Sequence, residues 1–187
     1  MVKIITPVQE EPVSLAEVRQ HLRLPEEPAE DGLLLALITT ARTYCEDYTR
    51  RALAEQTLEF YLDRFPGMCP VLLPCPPLQS VTEIGYKDSM GAETILPNSA
   101  CLVDLDCEPG RVLPVYGDAW PVFTPFPVSP IRIRFIAGYE NLPTPIRLAM
   151  LLLIGNWYEN REATGTASSE IDFSVHALLT PYRLEVF

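Results

Sequence analysis

The sequence predicts an α+β fold with a mainly helical core: long helices near residues 31–51 and 144–161, and a small antiparallel β unit in the middle of the chain. Three observations carry this. Leu33, Leu34, Leu37, Ile38, Ala41, Tyr44, Cys45 and Tyr48 recur as a broad apolar stripe at helical spacing. Ile146, Met150, Leu153 and Trp157 repeat that spacing near the other end. Between them the period falls to two, with Leu58, Phe60 and Leu62 alternating with Glu59, Tyr61 and Asp63.

The elements follow in chain order. Ser14-Leu15-Ala16-Glu17 reads as a capping box, in which Ser14 accepts from the Glu17 amide and the Glu17 carboxylate reaches back. Leu15, Val18 and Leu22 then share a face, and Pro25 stops this first helix. The acidic stretch Glu26 to Glu30 is a connector. The second helix starts near Asp31 and runs to about Arg51, where Arg50 and Arg51 suit a helix C-terminus; Arg42, Glu46 and Asp47 form its polar face.

After the strand from Gln56, short strands are expected at Val71-Leu73, Ser80-Tyr86, Thr94-Leu96, Arg111-Val115 and Ile131-Ile136, with a hairpin turn at Asp88-Ser89-Met90-Gly91. The chain has 19 prolines, clustered at 66–77 and 109–130, which keep strands short and rule against an extended barrel. Thr144-Pro145 marks the third helix, with Thr144 as N-cap and proline at its first position. That helix is apolar nearly all round, as a helix buried between layers or against another subunit would be. Gly165 and its small, polar neighbours in 162–170 read as a link before a short closing helix over Phe173 to Leu179, stopped by Pro181. The expected organisation is a single connector domain over 1–162 with a flexible link and C-terminal assembly segment over 163–187, which either docks on a neighbouring subunit or the portal or folds back over its own third helix. Its apolar residues are Val175, Leu178, Leu179, Tyr182, Leu184, Val186 and Phe187.

Composition narrows the function. The 187 residues, 48% hydrophobic and 21% charged, suffice for a buried core. Net charge is −11 and Lys3 and Lys87 are the only lysines, so no polybasic stripe is available to grip phosphates. An acidic wall is instead compatible with DNA sliding past it. The apolar run from Leu148 to Gly155 is far shorter than the ~20 residues that span a bilayer. The opening Met1 to Pro7 is too short for a signal peptide's apolar stretch, so export is not expected. Five cysteines, an odd number, fit a reducing compartment without a disulfide framework.

No residue pattern points to catalysis or a cofactor. Cys69/Cys75 and Cys101/Cys107 are spaced too widely for a zinc knuckle. Asp104 to Gly110 opens like a calcium loop, but proline stands where the turn glycine is needed and Val115 where the bidentate glutamate is needed, so it reads as a solvated turn. The first two helices are joined by too long and too acidic a connector for a helix-turn-helix. His21 and His176 stand in no metal or nucleophile motif. Two other readings remain beside a structural role: a small enzyme using a cysteine nucleophile with His176, and a generic acidic binding module.

Several segments, in their order and spacing, resemble the head-tail connector (adaptor) family of tailed bacteriophages. They are Ser14 to Val18, the helix Asp31 to Arg51 around Ala41 to Thr49, Pro76-Pro77-Leu78-Gln79-Ser80-Val81, Phe135-Ile136-Ala137-Gly138-Tyr139, the helix Pro145 to Trp157 with Tyr158 to Glu162, and Ala177 to Arg183. The resemblance covers nearly the whole chain. It implies a non-enzymatic subunit without cofactor or metal, made in the host cytoplasm and placed at the virion head-tail junction. There it would form a ring on the portal and meet tail-proximal connector or stopper proteins, with DNA only as passing cargo. Leu178, Leu179, Tyr182, Arg183 and Phe187 are the expected protein-interaction residues. The resemblance assigns no role to the proline- and cysteine-bearing segments 68–77 and 104–130.

Overall fold

The computed structural model describes residues 1–25, 27–67, 69–160 and 167–185. They fall into two units: residues 1–9 with 55–139, and residues 10–54 with 140–187.

The first unit is all β. Strands β1 (Val2–Thr6), β2 (Gln56–Leu62), β3 (Val71–Leu72), β4 (Leu78–Lys87), β5 (Glu93–Leu96), β6 (Cys101–Asp104), β7 (Arg111–Pro114) and β8 (Ile131–Ala137) make two antiparallel sheets. The larger has the order β1-β2-β8-β4-β5 and the smaller β3-β7-β6. β8 is central because its odd positions are apolar: Ile131, Ile133, Phe135 and Ala137 are all buried, while Arg132 and Arg134 take the opposite face. In register beside them, Leu58 and Phe60 of β2 and Ile84 of β4 continue the apolar face. The expected hairpin at Asp88 is present, its carboxylate accepting from the amides of Met90 and Ala92 at 2.9 and 3.0 Å.

The second unit holds α1 (Leu15–Leu22), α2 (Asp31–Thr49), α3 (Thr144–Glu159) and α4 (Ala167–Leu179). α2 and α3 pack together, as their stripes predict, burying Leu34, Ile38, Ala41 and Cys45 from α2 and Ile146, Met150 and Leu153 from α3. α2 stops at Thr49 rather than Arg51, because Arg50 turns into the left-handed region (φ 59°) and its amide bonds back to the Glu46 carbonyl at 2.7 Å. Ser14 caps α1 as expected, accepting from the Glu17 amide at 3.2 Å. The Glu17 carboxylate, however, takes the Arg147 guanidinium on α3 at 2.8 Å instead of reaching back. α1 ends at Leu22, ahead of Pro25, on a left-handed Arg23. Thr144 is the first residue of α3, after Pro143, and not its cap. On the polar face of α2, Arg42 bridges Glu46 (2.7 Å) and Glu11 (2.8 Å) in a half-buried cluster.

The expectation of a mainly helical core with a small β unit is therefore corrected. The fold is α+β, but the β unit takes roughly half of the chain and has two sheets and its own core. Two strands escaped the sequence reading. β1 is exposed along its whole length and so carries no amphipathic period; its pairing with β2 makes it a strand. β6 runs into the Asp104 turn and is held by its pairing with β7.

Candidate protein-interaction surface

The segment singled out from the sequence is laid along α2 and α3 of its own unit. α4 starts at Ala167, inside the stretch expected to be a link; residues 161–166 lie outside the described residues. Val175 and Leu179 are fully buried. Around them stands an aromatic and hydrogen-bonded cluster. Tyr48 and His176 stack at 4.7 Å between ring centroids, 10° from parallel, and the Tyr44 hydroxyl meets His176 Nε2 at 3.1 Å. Tyr44 also stands edge-on to Trp157 at 6.2 Å. The Tyr48 hydroxyl meets Thr180 Oγ1 at 3.1 Å, and the Arg183 guanidinium lies 5.4 Å from the Tyr48 ring centroid, within cation–π range. Two backbone contacts complete the seat: Arg51 Nε donates to the Tyr182 carbonyl at 2.5 Å and the Leu184 amide to the Thr49 carbonyl at 2.9 Å.

The predicted interaction residues thus divide. Leu179 is core. Leu178 and Tyr182 are half-buried, and Arg183 is exposed. Phe187 lies outside the described residues. Phe173, which the sequence reading did not single out for interaction, is 77% exposed at the start of the described part of this surface. The Tyr48, His176 and Arg183 stack joins side chains more than 120 positions apart, so no local sequence signal announces it.

The side chains weighed for chemistry have structural surroundings. Burial, with the neighbouring Glu46 charge, pushes the Cys45 thiol up to about 12, and burial also raises that of Cys101. Neither is poised as a thiolate. All five cysteines are free, and among the described residues no cluster of three or more His, Cys, Asp or Glu could hold a metal ion. Asp104 accepts from the Asp106 and Cys107 amides and binds Arg111 at 2.5 Å, which makes 104–110 a turn closed by its own ion pair. Arg19, Arg42, Arg132, Arg134 and Arg147 are likewise matched to carboxylates of their own units. These cations are consumed internally and form no phosphate-binding stripe. No helix among the described residues is long and apolar enough to cross a membrane.

Residues 12–71 match the family of phage gp6-like head-tail connector proteins. No curated protein matches the chain. Three solved structures share its fold at a TM-score of 0.82, each covering 100% of this chain and 97% of its own: the neck of an empty gene transfer agent (GTA) particle computed with C6 symmetry, at 26% identity; the virion of a native gene transfer agent particle, at 27%; and the neck of a native GTA particle computed with C12 symmetry, at 26%. The family match and the shared fold bear out the resemblance to head-tail connectors. The chain has the structural role of a connector or adaptor, and the family it matches is one of structural connectors.

Proposed function

We propose that this chain is the repeating subunit of a ring in the neck of a phage-like particle, seated on the portal below the head and continuing the DNA path towards the tail. The observation that carries the reading is likeness along the whole chain to proteins of a particle neck solved with C6 and C12 symmetry. Cyclic symmetry means that each copy offers two different surfaces to its neighbours. Its partners are then further copies of itself, the portal, and a tail-proximal connector or stopper protein.

Within this proposal, residues 163–187 are the assembly segment and residues 1–162 the connector body. Phe173, Leu178, Tyr182 and Arg183 are the portal-facing residues, while Val175 and Leu179 anchor the segment to its own unit. Imaging of the protein on its portal tests both the ring and this contact.

DNA is cargo in this account. Net charge −11 and the internal pairing of Arg19, Arg42, Arg111, Arg132, Arg134 and Arg147 leave little to neutralise phosphates. Titration of labelled duplex at physiological salt is expected to give no binding at micromolar concentration. Micromolar or tighter affinity with a steep salt slope would make the protein a DNA gripper and sink the conduit role.

A further inference from the structure

The larger sheet of the β unit ends on two open edges, β1 and β5. We propose that in the ring these edges meet: β1 of one copy adds in parallel to β5 of the next, so that the sheet continues from subunit to subunit. The proposal rests on the ring reading above and names the surface that closes the ring.

Among the described residues, each edge has backbone groups that its neighbouring strand does not use. Met1 and Tyr61 exchange two hydrogen bonds, at 2.9 and 3.2 Å. In an antiparallel pair such exchanges recur at every second residue, so Lys3 is bonded to Glu59, and Val2 and Ile4 point their N–H and C=O groups away from β2. On β5 the Asp88 amide donates to the Ala92 carbonyl at 3.1 Å. By the same alternation Thr94 and Leu96 bond to β4, leaving Glu93 and Ile95 pointing outward. Both edges also expose apolar side chains: Ile4 and Ile95 are each 57% exposed, and no strand or helix covers either edge among the described residues. Such edges are templates for another strand.

Direction and charge select the occupant. All four pairings in this sheet are antiparallel, so the first and fifth strands run the same way. One step about a C6 or C12 axis turns a strand by no more than about 60° or 30°, too little to reverse it, and a β5 edge meeting the next copy's β1 must therefore pair with it in parallel. Side-chain faces agree as well. Val2 and Ile4 lie on the apolar face with Leu58, Phe60, Ile133 and Phe135, as does Thr94 through Tyr86 and Ile131. Lys3 lies with Glu59 on the charged face, and Glu93 reaches Arg132 of that face at 2.7 Å. Setting Ile4 against Thr94 brings Lys3 opposite Glu93, opposite charges side by side. The Ile4 amide then donates to the Glu93 carbonyl, and the Ile95 amide to the Ile4 carbonyl.

Hydrogen exchange of the dilute free protein and of the ring assembled on its portal decides the matter. The outward amides of Ile4, Glu93 and Ile95 should exchange at least tenfold more slowly in the ring, read on peptides covering 1–6 and 91–97. Ile4→Pro and Ile95→Pro each remove an outward donor without breaking the pairing inside the subunit, and should abolish ring formation while the free protein keeps its melting temperature within a few degrees. Should either variant misfold, the wild-type exchange still gives the answer. A ring in which either peptide keeps its free rate, or normal assembly by the folded proline variants, overturns the proposal. Protection of one edge alone would mean a portal contact and overturns it too. If the wild-type chain makes no ring on the portal, the ring reading itself falls first.

Discussion

Phe135→Ala is expected to lower the stability of the β unit by about 3–5 kcal/mol, the cost of emptying a fully buried aromatic site. Phe135 is 0% exposed on the central strand β8, between Leu58 of β2 and Val81 of β4. Neighbours on both sides are fixed by backbone ladders and are poorly able to collapse into the space. Urea unfolding followed by tryptophan fluorescence in a Trp157→Phe background, where Trp120 of this unit is the remaining tryptophan, should show a lower midpoint at an unchanged slope. A loss below about 1 kcal/mol would mean that this sheet is not the unit's core.

The second large effect lies on the opposite face. Glu59 is only 3% exposed, and its carboxylate accepts from Tyr61 at 2.5 Å, from Arg132 at 2.9 Å and from Arg134 at 2.7 and 3.0 Å. Burial opposes its charge, but the hydrogen bonds from Tyr61, Arg134 and Arg132 outweigh it and hold the carboxyl down at about 2. Because the folded value is below the unfolded ~4.3, ionised Glu59 contributes its full stability above ~4.3, and that contribution is lost as the pH falls towards 2. Glu59→Gln should cost about 3 kcal/mol at neutral pH, since it takes from Arg134 the carboxylate it is paired with and from Arg132 one of three, the others being Glu83 and Glu93. Melting temperatures of wild type and variant should converge as the pH falls from about 5 to 2. A gap that stays constant over that range would mean that the Glu59 charge is not what holds the network.

What could be read from the sequence follows the range of each signal. α2 and β8 carry local periods, and Ile38, Ala41 and Cys45 on one and Ile131, Ile133 and Phe135 on the other are buried as their spacing requires. Helix ends are less legible: the charge of Arg50 favours a place within the last turn of α2, whereas its backbone forms the left-handed cap. The size of the β half was not legible at all, because prolines cut its strands to between 2 and 10 residues and much of its order lies in pairing across long separations, as of β2 with β8. For the candidate surface, sequence marked the closing segment as apolar. It could not tell Leu179, which is buried, from Leu178, which is half-buried, nor foresee Tyr48 stacked on His176.

The ring on the portal is the central claim, and electron microscopy of the purified protein mixed with its portal tests it most directly. The account predicts a closed ring of this chain coaxial with the portal, an open axial channel through it, and density for Leu178, Tyr182 and Arg183 against the portal. Portal particles without added density, or density that closes the axis or binds at a single off-axis position, would contradict it.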